Sequence, residues 1–383
     1  MNNFAALYRY EIKKALGRRA TIIIFLVIFA LVIATNITEF IVASRAAECN
    51  DSALVGRALD DSLFDEMREG VIPNIMTDSL GNQEIENVTY ENEAYRHLFQ
   101  YLLNCAGNCT RAYNMSEAQL KKTFNEILDY AYDDFKLTDS EIAYWNVKRS
   151  EEQIPPLYDR TGGWGNSLVN LYMANFFILV AIGGSLSGIF ADEYSSRTAP
   201  IVAASSKGKE KLSLVKILAG CTLGLLEATI IIAGNSATQF ILYGGVDSNA
   251  SVQLVYGPSL LDMTAKKAFL ASLGIMIVIS LFYSVFAMLL SQLFRNTTVP
   301  IAVMAVLLIC SMLNPPSEYR VISQIASYFP ATFPGSWTFT DYRLLNLFGL
   351  KLNILQVLPI LYAALSAIFV ILIYRNYRKT NIR

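Results

Sequence analysis

The chain has 383 residues, 54% of them hydrophobic and 16% charged, with a net charge of −1. An average soluble domain carries roughly a quarter charged residues, and here the apolar residues lie in blocks rather than at dispersed core positions, which argues against a soluble enzyme. The near-neutral total also hides a division, since residues 45–160 hold 11 Lys/Arg against 22 Asp/Glu while the remainder holds 20 against 10, the pattern of two parts facing different compartments.

Crossing about 30 Å of hydrocarbon takes about 20 helical residues at 1.5 Å each, because lipid offers no partner for unpaired backbone groups. The first run that qualifies lies in residues 20–44, opening ATIIIFLVIFALVIATNIT without a charge. A signal peptide's apolar core is usually about 7–15 residues. This longer run reads instead as an uncleaved anchor, with the Ala-rich VASRAAE after it as the competing processing site.

Residues 45–165 are the one stretch between apolar runs large enough to fold outside the membrane, and they read as a mainly helical extracytoplasmic domain. Ser116 and Gln119 resemble a capping box ahead of Leu120, Phe124, Ile127, Leu128, Ala131 and Phe135 at helical spacing. Thr138 and Glu141 form a second box ahead of Ile142 and Trp145. Leu54, Leu59, Leu63 and Phe64 mark another amphipathic helix, and residues 154–166, IPPLYDRTGGWGN, make a turn-rich return to the membrane. The acidity is that of a solvated surface, with binding of a cation or a cationic peptide as the functional alternative. Cys49, Cys105 and Cys109 lie here. Extracytoplasmic thiols can pair, and three leave one over. Cys105 with Cys109 across a break at 106–108, Cys49 with either, and three free thiols all stay open.

Further spans are predicted over residues 168–190, 214–242, 268–290, 299–313 (short, with Pro300 near its start) and 354–374, which makes six. Arg9, Lys13, Lys14, Arg18 and Arg19 precede the first span against a lone Glu11, and Arg375, Arg378, Lys379 and Arg383 follow the last with no acid. Such residues mark cytoplasmic flanks, so both termini are expected inside, in agreement with an even number of crossings. Lys266 and Lys267 fall outside and are placed to snorkel. The fold expected is an all-α, multi-pass cell-membrane protein: residues 1–19 inside, a first span within 20–44, the 45–165 insertion, and a five-helix membrane region over 166–383.

No HExxH, CxxC, GxSxG or GxxxxGK[ST] is present, and His97 has no second imidazole to pair with. No catalytic residue, metal site or cofactor is therefore assigned, and ATP hydrolysis has no phosphate loop here. Glu227 sits in mid-span, where a carboxylate costs about 3 kcal/mol on insertion scales. It reads either as a pathway or gating residue or as a hydrogen-bonded packing residue near Asn235 or Asn175. Gly184 with Gly188, and Gly220 with Gly224, put small residues on single helix faces for close helix contact. Cys221 and Cys310 lie in spans and read as small packing residues.

The loop at 191–211 is the most informative stretch. Asp192 and Glu193 end a span where basic anchors are normally favoured, and Tyr194, Arg197 and Thr198 follow, then Lys207, Lys209 and Lys211. This arrangement resembles the permeases of type-2 ABC exporters, whose second span runs into E-x-x-x-G-T, a short coupling helix and a basic re-entry. Glu193 matches the acid, Thr198 the threonine and 207–216 the re-entry, while Arg197 stands at the glycine. The resemblance extends along the chain. In FAALYRYEIKKALGRR, Phe4, Leu7, Ile12 and Leu16 oppose Arg9, Lys13 and Lys14, like the family's N-terminal interfacial helix. The insertion at 45–165 and short outer helices at 315–350, with Val321, Ile322, Ile325 and Phe329 on one face, follow in family order.

The resemblance implies a permease subunit that pairs with a second permease, the same or related. It would receive a separate ABC ATPase on its 191–211 loop, sit among membrane lipids, bind no nucleic acid, and export a lipid-like or peptide cargo. The alternatives are a membrane-anchored sensor or assembly protein whose acidic outer domain binds a ligand, and a secondary transporter. Six spans count against the first. The second would carry an internal repeat and more intramembrane polar residues than Glu227, Asn235 and Gln239.

Overall fold

A computed structural model describes residues 2–44, 51–77, 83–196, 208–244, 249–347 and 349–379. Helix α1 (Asn2–Leu16) turns at Gly17 into α2 (Arg19–Ser44). The insertion comprises α3 (Asp61–Gly70), β1 (Val71–Thr77), β2 (Gln83–Tyr90), α4 (Arg96–Ala106), α5 (Cys109–Tyr113), α6 (Glu117–Asp134) and α7 (Asp139–Glu151). After it run α8 (Gly162–Leu186), the short α9 (Ala191–Ser195), α10 (Gly208–Tyr243), the single turn α11 (Gln253–Tyr256) and α12 (Ala265–Phe294). The chain ends with α13 (Thr298–Ser311), α14 (Arg320–Ser327), the hairpin β3 (Leu345–Leu347) and β4 (Leu350–Leu352), and α15 (Ile354–Lys379).

Helices α2, α8, α10, α12 and α15 are long and apolar enough to cross a membrane. The sequence predicts six spans; the remaining one, α13, is an apolar helix of 14 residues, only about 21 Å long. The middle of the bundle is α8, packed against α10 and α12, with α2 against α8 and α10, α15 against α12, and α1 lying along α10. A single apolar core joins them, including Ile178, Ile182, Ile231, Met276, Tyr283 and Leu358. Close approach rests on small residues. A side chain at Gly220 or Gly224 would collide with Met288 or Ser284 of α12, and one at Gly184 or Gly188 would crowd Ile24 or Arg18 of the α1–α2 unit.

The insertion has its own core, built from Leu63, Phe64, Leu98, Phe99, Leu102, Leu120 and Phe124. Both capping boxes form, at Ser116 with Gln119 and at Thr138 with Glu141, so α6 and α7 begin where expected. The all-α expectation is corrected in two places. The insertion is mainly helical but also holds a hairpin, because β1 and β2 pair antiparallel from Val71↔Tyr90 to Thr77↔Gln83 with an irregularity after Asn74. Most of their side chains are exposed or half-buried, so no burial alternation marks them as strands. The 315–350 stretch holds α14 together with a 3-10 turn at Ser336–Phe339 and the start of the second hairpin, rather than helices alone.

The insertion is bolted to this second element. The buried Glu141 carboxylate accepts from Arg320 at 2.7 and 2.8 Å and from the Leu344 backbone N–H at 2.8 Å. Trp145 Nε1 donates to the Tyr342 carbonyl at 2.5 Å, with the two rings edge to face.

Candidate functional site

Where α8 gives way to α9, the helix breaks and exposes backbone groups that an apolar bundle cannot leave unpaired. Side chains from two other helices satisfy them. Ser291 of α12 accepts from the N–H of Phe190 and of Ala191 at 3.2 and 3.1 Å. Lys216 of α10 donates to the Ile189 carbonyl at 2.8 Å.

That lysine is wholly buried. Its Nζ lies 2.9 Å from a Glu193 carboxylate oxygen, 3.9 Å from Glu11 of α1, and 5.3 Å from the centroid of the Phe190 ring. Glu193, 5% exposed, also accepts from the Tyr377 hydroxyl of α15 at 2.9 Å. Among the contacts described, one cation and a phenol hold two buried carboxylates, and removing one partner of a buried ion pair typically costs about 3–5 kcal/mol. Around this centre Asp192 forms an ion pair with Arg18, the residue between α1 and α2. Arg295, past the end of α12, lies 5.1 Å over the Tyr194 ring, and Gln292 donates to the Ile373 carbonyl at 3.1 Å. The start of the 191–211 loop is therefore tied to α1, α10, α12 and α15 at once. This grouping holds no nucleophile–base pair; what it offers is mechanical connection.

Of the residues singled out in the loop, Asp192, Glu193 and Tyr194 come together here, each with a partner inside the chain. Lys211 is exposed on α10. Arg197, Thr198 and Lys207, and the side chain of Lys209, lie outside the described residues. Sequence reasoning treated Lys216 only as the end of a basic re-entry and gave Glu11, Tyr377 and Ser291 no part. One signal was available for Lys216: it stands between Val215 and Ile217 in an otherwise apolar run, where a charge needs a partner.

The polar residues inside the bundle are held separately. Glu227, 7% exposed, accepts from the Ser185 hydroxyl of α8 at 2.9 Å. The expected neighbours bind elsewhere: Asn235 accepts from Asn36 of α2 at 3.0 Å, and Asn175 donates to the carbonyls of Pro330 and Phe333 at 2.8 and 2.6 Å. In the insertion, Cys105 and Cys109 are free thiols on either side of a helix break at Gly107. Burial pushes the Cys105 thiol up to about 11. Cys49 lies outside the described residues.

A family model described as ABC-2 family transporter protein matches residues 65–374 of the chain. No curated protein and no solved structure matches it.

Proposed function

The chain belongs to the ABC-2 family of transporter membrane proteins, and from that premise we propose that it is the permease subunit of an ATP-driven exporter. In this reading two such subunits stand side by side, both termini lie in the cytoplasm, and the insertion lies on the opposite face. A separate ABC ATPase docks on the 191–211 loop, and the cargo is lipid-like or peptidic.

The observation that carries the reading is the buried clasp of Lys216, Glu193 and Tyr377. A push delivered at 191–211 meets no slack, because the first turn of the loop is pinned to the helices at both ends of the chain. Low compressibility of packed side chains passes such a displacement on rather than absorbing it. Glu193 is buried and Lys211 exposed, so substitutions at Glu193 report on folding, whereas Lys211→Glu reports on docking.

The test is purification of the tagged chain from its native membrane, with the co-purifying proteins identified by mass spectrometry. A P-loop ATPase is expected with the wild type, and less of it with Lys211→Glu at matched expression. Recovery of no such ATPase overturns the permease reading. Equal recovery from both proteins removes the loop from the docking surface.

A further inference from the structure

Helix α1 carries a single acid, Glu11, and the fold turns it inward. Glu11 is 6% exposed and lies 3.9 Å from Lys216 Nζ, with the buried Ala15 one turn further along the same face. Arg9 and Lys13 fall on the other face, in line with Leu16 at i, i+4 and i+7. All three are exposed, as are Tyr10 between the two bases and Arg19 at the start of α2. Of the bases around this turn, only Arg18 has an acid partner among the described residues, namely Asp192. The outward stripe of α1 is therefore of one sign.

That stripe lies beside the bundle rather than out in water. Only Gly17 and Arg18 separate α1 from the spanning helix α2, so its end stays where a span begins. Farther back, the hydroxyls of Tyr8 and Thr222 meet at 2.8 Å, and Thr222 belongs to the apolar span of α10. A helix whose exposed bases alternate with Tyr10 and Leu16 suits the boundary between headgroups and acyl chains. Beside an anionic leaflet each such base strengthens attachment about fivefold. Because Glu11 rides on the opposite face of the same helix, whatever holds the stripe also holds Glu11 against Lys216.

We propose that the stripe of Arg9, Lys13 and Arg19 binds the headgroups of anionic phospholipids in the leaflet beside α1, in preference to zwitterionic ones. The charge complement of the stripe carries the choice, since no protein acid among the described residues supplies it. The inference rests on the placement of α1 and holds whatever the chain transports.

The test uses the full chain in phosphatidylcholine nanodiscs, with Tyr10→Trp as a reporter on the stripe and the parent chain as the blank for Trp145, Trp164 and Trp337. Brominated phosphatidylglycerol or brominated phosphatidylcholine then replaces a small, rising fraction of the lipid. Quenching of the added indole should reach half its maximum at an at least threefold lower fraction of the anionic lipid, and that advantage should shrink in about 0.5 M salt. Arg9→Gln with Lys13→Gln in the reporter chain should erase the advantage while quenching by phosphatidylcholine persists, which shows α1 still in place. Lys121→Gln with Lys122→Gln, on the exposed surface of α6, should change nothing. Equal quenching by the two lipids in the reporter chain overturns the proposal, as does an advantage that survives loss of the two bases. Quenching by neither lipid also overturns it, and means that water or another protein covers the stripe.

Discussion

Lys216 and Glu193 meet at 2.9 Å with the lysine wholly enclosed, so replacing either one removes the other's shortest ion-pair contact described. Lys216→Met takes the buried ammonium away from Glu11 and Glu193, and should destabilise the protein by about 3–5 kcal/mol. Lys216→Met combined with Glu193→Gln should recover part of that loss. Thermal unfolding of the purified single and double variants measures the coupling; simple additivity of the two effects would falsify the clasp.

Acid should loosen the insertion from the bundle. Burial opposes ionisation of Glu141 and is the largest single influence on it. The hydrogen bonds from Arg320, Leu344 N–H and Thr138 together outweigh burial and hold the carboxyl below its ordinary value of 4.5. A group with a depressed folded pKa stabilises fully above the unfolded value, and that contribution is lost as pH falls through the folded one. The Trp145 fluorescence, set by its contact with Tyr342, should therefore stay constant from pH 7 to about 5 and shift below about 4.5. In Glu141→Gln that acid limb should be absent, with the shift already present at neutral pH.

Both capping boxes and the apolar runs were legible because each depends on residues close in sequence. Ser116 finds Gln119 three residues on, and a span needs only uninterrupted hydrophobicity. The hairpin of β1 and β2 was not legible, since strands solvated on both faces carry no alternating pattern and Pro73 inside β1 speaks against a strand. At the loop, the odd placement of Asp192 and Glu193 is visible in the sequence and suggests a surface for another protein. The partners instead come from far along the same chain, 184 residues away in the case of Tyr377, and no local rule reaches that distance.

Widening the contact between α10 and α12 should be costly in a defined way. A Cβ at Gly224 runs into the Ser284 hydroxyl, so Gly224→Val should destabilise by about 1–3 kcal/mol through overpacking. Ser284→Ala on that background removes the obstructing atom and should restore at least half of the loss. Monodispersity and melting temperature in detergent provide the readout, and an identical deficit with and without Ser284→Ala would place the strain elsewhere.

Glu227 is held by the Ser185 hydroxyl, with no cation beside it among the contacts described. A buried carboxylate with so little compensation is a burden on the fold. Glu227→Gln keeps an acceptor for Ser185 and should raise thermal stability. Glu227→Leu should leave the Ser185 hydroxyl its weaker bond to the Ile182 carbonyl at 3.3 Å and be close to neutral. A marked loss of stability in Glu227→Gln would show that the ionised form is needed to hold α8 against α10.

The shortness of α13 reaches beyond the polypeptide. Its 14 residues fall about 9 Å short of an average hydrocarbon thickness of about 30 Å. Past its end, Met312, Leu313, Val321, Ile322 and Ile325 still present apolar surface. Were α13 alone to cross, acyl chains bordering it would compress to meet it, at a cost of fractions of a kcal/mol for each ångström of mismatch. With α13 as a sixth span, the protein would carry its own zone of thinned bilayer and would favour short lipids along one side.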